Sequence, residues 1–332
     1  MHARLFAAVI LLSPLAAHAA GDKPFTKDDA RAIIANLQKV VTPNGIDIRT
    51  QIVVGGTKQW ITVRGRDLKN PILLFIHGGP AAPEMPASWT FENPWEDYFT
   101  VVQWDQRGSG KTYNANDPKS IAPTLTPDRM EKDAEEVVQY LRAKYHKPKI
   151  FVLGHSWGSL LGIMLAHKHP EWLYAYIGMG QMIDSQASER DSYEAAFAAA
   201  RAANNQKAIA ELKSIAPYPG GTVSLDRIDT ERKWSVIYGG LSWNRDSYGY
   251  YYNATELSPD YTDADLKAIG KGSLLSLSHL LPAMTTFDYS KVTDFRCPIV
   301  IFNGRHDETV SAKVTAAWFA NAIPTLAPTS IW

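Results

Sequence analysis

Residues 154–158 read Gly-His-Ser-Trp-Gly, a G-x-S-x-G pattern centred on Ser156. The apolar, partly β-branched run 150–153 predicts a buried strand just before it, and the pattern 157–169 predicts a helix just after it. A chain that passes at once from strand to helix must adopt a strained backbone, and the flanking glycines leave room for that turn. The pattern therefore predicts that Ser156 presents its hydroxyl as a nucleophile.

A second group of residues can stabilise the charge that such a nucleophile creates. His-Gly-Gly-Pro at 77–80 follows a predicted buried strand at 71–76, and adjacent glycines let backbone amides approach a ligand closely. Attack on a carbonyl places negative charge on its oxygen, and loss of one amide donor costs about 3–4 kcal/mol of barrier. We expect the amides of Gly79 and Trp157 to bind this oxyanion.

A third motif, Asp-Gln-Arg-Gly-Ser-Gly at 105–110, follows a predicted strand at 99–104. Its G-x-G lacks the spacing and the helix start of a phosphate-binding loop, so a nucleotide site is rejected. We interpret Asp105 and Arg107 as residues that hold this loop beside the site.

The three motifs, in this order and with these intervals, resemble those of the prolyl iminopeptidase-like group of the α/β-hydrolase superfamily. The resemblance covers residues 51–180 and, more loosely, 297–321. It implies an α/β fold with a mostly parallel sheet, helices on both faces and an inserted helical cap. The sequence departs from the family at Ala81, where a glycine is usual.

The resemblance also implies an acid of the catalytic triad just past the late strand predicted at 298–303. Asp307 matches this place. The alternative is that Asp307 only caps the helix predicted at 311–321.

The family's base histidine lies beyond an eighth strand, and no histidine follows Asp307 in this sequence. We expect that residues 330–332 open that strand and that the chain is truncated there. His155 is expected to turn away from the serine and His77 to end a buried strand, which leaves His279 as the alternative base.

The alternation of strands and helices is lost between Met179 and Cys297 and returns after Cys297, which indicates an insertion. Its aromatic stretch 234–252 either lines the pocket or packs inside the cap. The predicted domains are a signal peptide at 1–20, an N-terminal helical extension at 21–50, a hydrolase core at 51–182, a helical cap at 183–290 and the rest of the core at 291–332.

Composition excludes several classes of partner. The 332 residues carry 34 basic and 34 acidic side chains, a formal net charge of zero, which gives no reason to expect nucleic acid or an anionic membrane surface as a partner.

The first twenty residues predict a cleaved export signal, because they contain Arg4, the apolar run 5–12 and Ala-His-Ala at 17–19. The mature chain is expected in the bacterial periplasm or secreted, without a membrane span. One cysteine, Cys297, excludes an intrachain disulfide.

The sequence thus predicts an exported serine hydrolase that cleaves amide or ester bonds of a small-molecule or short peptide substrate, without metal or organic cofactor. A prolyl iminopeptidase-like aminopeptidase is preferred; a carboxylesterase of the same fold and a non-catalytic binding protein are the alternatives. An iminopeptidase needs acidic groups near the cap for the substrate amine. The candidates are Glu189, Glu194, Glu231 and Glu256.

Overall fold

The computed structural model describes residues 24–322. The predicted export signal at 1–20 and the predicted strand opening at 330–332 lie outside this range. The strands are β1 (Ile46–Val54), β2 (Thr57–Gly65), β3 (Ile72–Ile76), β4 (Thr100–Asp105), β5 (Ile150–His155), β6 (Leu173–Met179) and β7 (Ile299–Phe302).

The helices flank and interrupt this series of strands. They are α1 (Lys27–Leu37), α2 (Gly110–Asn114), α3 (Pro118–Ile121), α4 (Pro127–Lys144), α5 (Trp157–Lys168), α6 (Ser185–Ala202), α7 (Gln206–Ser214), α8 (Leu225–Ile237), α9 (Gly249–Glu256), α10 (Asp263–Thr286) and α11 (Ala312–Ala322). Within residues 24–322, no helix combines the length and the apolar character needed to cross a bilayer.

One seven-stranded sheet contains all of these strands, in the order β1-β2-β4-β3-β5-β6-β7. β1 and β2 run antiparallel to each other and β2 runs antiparallel to β4, while β4, β3, β5, β6 and β7 are parallel. The mostly parallel sheet is the one that the sequence predicts.

Strand β3 shows why a strand at the centre of the sheet consists of apolar residues only. Successive side chains of a strand point to opposite faces. Ile72, Leu74 and Ile76 accordingly join the main core, which also contains residues of α4 and α5. Leu73 and Phe75 join a smaller apolar cluster on the other face. Both faces are covered, so all five residues are buried.

The first hairpin is longer than the sequence predicts. The sequence itself predicts strands at 51–54 and 59–63 around the four-residue loop 55–58, but β1 begins at Ile46, inside the predicted N-terminal extension. The turn consists of Gly55 and Gly56 alone, with φ of 51° and 73°. Two positive φ values form a tight turn whose twist matches that of paired strands, so pairing extends up to the glycines.

The inserted segment forms a helical layer with its own core. Helices α6, α7 and α8 pack around a separate apolar cluster that includes Ala200, Leu212 and Trp234. Helix α1 joins this layer through ion pairs: Lys27 Nζ lies 2.8 Å from Glu256 Oε2, and Arg31 Nη2 lies 2.8 Å from Asp263 Oδ1. The predicted extension therefore contacts the cap.

The turn between β5 and α5 depends on a glycine in the first turn of the helix. A Cβ on Gly158 would lie 2.0 Å from the Ile76 carbonyl oxygen. We expect Gly158→Ala to lower the melting temperature by more than about 10 °C or to prevent folding, because backbone atoms of β3 must move. Gly270→Ala in α10 is the matched control, since nothing lies within 4 Å of its Cβ position. Helix propensity favours alanine there by about 1 kcal/mol. Equal melting temperatures of the two variants would contradict this prediction.

Candidate active site

Ser156 occupies a strained position at the end of β5. Its φ of 49° is positive, a region that non-glycine residues adopt at a cost in conformational energy. Two backbone hydrogen bonds hold it there: the Ser156 amide donates to the Met179 carbonyl at 3.0 Å, and the Ser159 amide donates to the Ser156 carbonyl at 2.8 Å. The structure thus has the sharp strand-to-helix turn that the G-x-S-x-G spacing predicts.

A single large cavity of about 1230 Å³ brings the predicted site residues together. Ser156, Gly79 and Asp307 all border it. A Cβ placed on Gly78 would lie 3.2 Å from the Ser156 Cβ, so the glycine loop and the serine are in direct contact. Trp157, the first residue of α5, has a buried side chain and does not border the cavity, and the oxyanion role of its backbone amide stays a prediction.

Gln106 fixes the glycine loop against the helix that follows the serine. Its side-chain amide donates to the His77 carbonyl at 2.8 Å, and its Oε1 accepts from the Trp157 indole at 3.2 Å. Its backbone amide donates to His77 Nε2 at 3.2 Å. Burial lowers the pKa of His77, which keeps the ring neutral and able to accept this bond. His77 is therefore structural, and the bridging role of Gln106 was not predicted from the sequence.

The neighbouring residues of the same motif connect it to other elements. Arg107 Nε donates to Asp133 Oδ2 at 2.7 Å, which ties the loop to α4. Asp105 accepts from the Lys111 amide at 2.7 Å and from the Tyr261 hydroxyl of the cap. Burial raises the pKa of Asp105 to about 7. These contacts agree with the interpretation that Asp105 and Arg107 hold the loop in place.

Asp307 follows β7 and lies next to Gly180, at the cavity that Ser156 also borders. Its Oδ1 accepts from the amides of Thr309 and Val310 at 3.0 and 2.9 Å, so one oxygen orders the turn before α11. A Cβ placed on Gly180 would lie 3.6 Å from Asp307 Oδ2 and 4.0 Å from the Ser156 nitrogen. Burial raises the pKa of Asp307 to about 6, although the two amides partly offset it.

His155 lies elsewhere than expected. It was predicted to turn away from the serine, but its side chain borders the same cavity, and its Nδ1 lies 2.5 Å from Glu84 Oε1. Burial alone would lower the pKa of His155; the Glu84 carboxylate outweighs that effect and raises it. Of the histidines in residues 24–322, it is the one that borders the cavity.

His279, the alternative base, is exposed on α10, where its Nδ1 lies 2.9 Å from the Leu275 carbonyl oxygen. It does not border the cavity. In the part of the chain that the structure describes, no imidazole is hydrogen-bonded to the Ser156 hydroxyl.

The aromatic stretch of the cap serves both of the roles considered. Trp234 packs in the cap core, whereas Tyr248, Tyr251 and Tyr252 border the cavity. Burial raises the pKa of Tyr248 to about 12, so its hydroxyl stays protonated at neutral pH. Apolar side chains from the core also line the cavity, namely Phe75, Phe91, Trp95 and Met179. The cavity therefore offers large apolar walls with a few polar groups near the serine.

Most of the cap glutamates are not free to bind a substrate amine. Glu189 and Glu231 both bond to Arg232, and they also accept from Tyr218 at 2.5 Å and Ser192 at 2.6 Å respectively. Glu194 is exposed and does not border the cavity. Glu256 borders the cavity, but it is paired with Lys27. Glu84 was not among the acidic candidates from the sequence, although it borders the cavity.

Comparison with known proteins agrees with this geometry. The sequence pattern described as the alpha/beta hydrolase fold matches residues 71–325. The chain belongs to the α/β-hydrolase fold family. This α/β-hydrolase is 29% identical over 280 residues to the Bacillus subtilis protein named probable aminopeptidase YbaC, a match that covers 82% of this chain and 85% of the other.

More local and more distant similarities point the same way. The proline iminopeptidase of Neisseria gonorrhoeae is 37% identical over 99 residues, 30% of this chain and 29% of that protein. The crystal structure of Mycobacterium smegmatis proline iminopeptidase superimposes with a TM-score of 0.58 at 18% identity, covering 86% of this chain and 90% of that one, which shows a shared fold. The chain is thus a hydrolase of α/β fold related to aminopeptidases and proline iminopeptidases.

Proposed function

We propose that this α/β-hydrolase is an exported serine hydrolase, and that its main activity is removal of the N-terminal residue from short peptides or amino-acid amides. The observation that carries the proposal is the strained Ser156 in a cavity that it shares with Asp307 and the glycine loop. The similarity to an aminopeptidase over most of both chains supports the choice of substrate. The proposal of export rests on the basic, apolar and small-residue pattern at 1–20.

In the proposed mechanism, Ser156 Oγ forms a bond to the carbonyl carbon of the substrate and passes its proton to a histidine base. The amides of Gly79 and Trp157 stabilise the oxyanion. The base returns the proton to the leaving amine as the C–N bond breaks, and water then hydrolyses the acyl-enzyme in the same way. Asp307 accepts the imidazole N–H and holds the ring in position. In this fold the base histidine follows the acid along the chain.

A carboxylesterase is the second candidate, because the cavity is large and its walls are mainly aromatic and aliphatic. Such walls suit a bulky acyl group, and ester and amide hydrolysis use the same catalytic groups.

The deciding measurement is catalytic efficiency on proline and alanine p-nitroanilides against p-nitrophenyl esters of increasing acyl length. We expect the full-length enzyme to cleave the anilides and to prefer short esters to long ones. A preference for long-chain esters of more than tenfold in kcat/KM would identify an esterase and overturn the aminopeptidase proposal.

A further inference from the structure

Glu84 lies directly beyond the glycine loop and borders the same cavity as Ser156. It precedes a 3-10 helix at Met85–Thr90, and only 8% of its surface is exposed. Ionised carboxylates are rarely this buried unless they are paired or hydrogen-bonded. At this depth each oxygen of the Glu84 carboxylate needs a hydrogen-bond donor or a cation as its partner.

One oxygen has such a partner and the other does not. Oε1 lies 2.5 Å from His155 Nδ1, whereas Oε2 is buried and makes no hydrogen bond within residues 24–322. A buried acceptor without a donor costs about 1–3 kcal/mol, and more when it is charged. A donor brought by a ligand in the cavity would remove that cost.

The Glu84–His155 pair and the serine lie on the same loop glycine, Gly78. A Cβ on Gly78 would lie 3.2 Å from the Ser156 Cβ and 3.4 Å from His155 Nδ1, so the serine and the Glu84–His155 pair flank one glycine. In an amino-acid amide the α-amino nitrogen is two bonds from the carbonyl carbon that the serine attacks. The group that binds this nitrogen must therefore lie close to the nucleophile.

Charge in this part of the cavity favours a cation. Glu84 and Asp307 are acidic, and His155 is the basic side chain that borders the cavity beside them. A protonated His155 compensates one carboxylate and leaves the other uncompensated. A substrate ammonium would neutralise the summed charge of Glu84, Asp307 and protonated His155. It would also supply the N–H donor that Glu84 Oε2 lacks.

The other acidic residues fit this role less well. Glu189 and Glu231 are bonded to Arg232. The side chain of Glu256 is 52% exposed and paired with Lys27, and Asp229 is exposed at the cavity edge. Glu84 combines burial, an unpartnered oxygen and contact with the cavity.

We propose that Glu84 is the residue that binds the protonated α-amino group of the substrate, and that His155 positions its carboxylate. The proposal rests on the proposed aminopeptidase function and names the group that would select substrates with a free amino terminus.

The test measures binding, so that it does not depend on which bond the enzyme cleaves. Calorimetric titration of the full-length protein with L-prolinamide and with N-acetyl-L-prolinamide should show at least tenfold tighter binding of the free amine. Glu84→Gln keeps the shape of the side chain and removes its charge, and it should abolish that preference. Glu194→Gln, the same change at an exposed residue away from the cavity, should retain it.

Three results separate the possible explanations. Equal affinity of the wild-type protein for both amides, or an unchanged preference in Glu84→Gln, would overturn the role of Glu84. If Glu84→Gln unfolds, Glu84→Asp takes its place, and it should keep a preference for the free amine weakened by the shorter reach. Failure of the wild-type enzyme to cleave proline anilide while it still prefers the free amine would refute the aminopeptidase function and leave the amine site standing.

Discussion

Replacing Ser156 by alanine is expected to lower kcat for any cleaved anilide or ester by at least a thousandfold. It should also abolish covalent labelling by a fluorophosphonate probe. In enzymes of this type the serine forms the covalent intermediate, and its loss leaves only the residual catalysis of the oxyanion site and of substrate binding. The full-length protein should be assayed with both readouts.

The same substitution should leave the protein folded. The described structure shows no hydrogen bond of the Ser156 hydroxyl that stabilises the fold, and the bonds that hold this turn come from its backbone amide and carbonyl. Alanine keeps both groups, so the melting temperature should change by no more than about 3 °C.

Ser278→Ala is the matched control for Ser156→Ala. Ser278 is exposed on α10, and its hydroxyl makes only local contacts, with the Leu275 carbonyl at 2.7 Å and with His279 Nδ1 at 3.0 Å. Its activity should stay within twofold of wild type. Retention of more than a few per cent of activity in Ser156→Ala would remove Ser156 as the nucleophile. Absence of probe labelling in the active wild-type enzyme would do the same.

Elements with strong local signals could be predicted from the sequence to within a residue or two. Strands β3, β5 and β6 are short apolar runs bounded by glycine, proline or polar residues. Thr126 and Pro127 are typical of a helix start in the sequence, and in the structure they are the N-cap and the first residue of α4. The 24-residue helix α10 was not predicted as one element, because its glycines, serines and internal Pro282 weaken the helical pattern.

The candidate site was predictable only where its chemistry is confined to a short motif. The G-x-S-x-G pattern around Ser156 predicts the local backbone conformation from five residues. Glu84 belongs to no motif whose spacing would identify it as a functional residue. Tertiary folding alone brings it to His155. The placement of His155 was wrong because strand alternation sends adjacent side chains to opposite faces, but the positive φ at Ser156 interrupts that alternation. Both residues therefore border the cavity.

The cap glutamates illustrate a second limit of sequence reasoning. Four acidic residues were equivalent in the sequence, and pairing in three dimensions is what distinguishes them. Arg232 engages two of these carboxylates. Which carboxylate remains available to a ligand thus depends on cations that lie elsewhere in the folded chain.

Asp307→Asn should reduce kcat/KM by about ten-thousandfold in the full-length enzyme. The side-chain oxygen of the introduced asparagine can still accept from the amides of Thr309 and Val310, so the turn before α11 is retained. The side-chain nitrogen must then replace Oδ2, the oxygen that lies next to Gly180. An amide N–H at that point cannot accept the imidazole N–H, so the base loses the tautomer and the orientation that proton transfer from Ser156 needs.

In a protein limited to residues 1–332, in which no imidazole of residues 24–322 bonds Asp307, the same substitution carries a stability signature with a defined sign. Burial raises the pKa of Asp307 from its ordinary value of 3.8 to about 6, so between these pH values the folded state binds a proton that the unfolded state has lost. Wild-type stability therefore falls as pH rises from about 4 to about 6, and Asp307→Asn escapes this loss. Above about pH 6 the variant should be the more stable of the two, by on the order of 3 kcal/mol, and the difference should shrink towards about pH 4.

Glu308→Gln separates this effect from a general loss of negative charge near the cavity. Glu308 is the next residue along the chain but borders a different, smaller cavity with Trp243 and His306. It should keep activity within threefold of wild type. Comparable losses in both variants would show that the charge of this turn matters and not the position of one carboxylate. An active Asp307→Asn enzyme would mean that Asp307 only orders the turn before α11, in which case its buried charge destabilises the fold without serving catalysis.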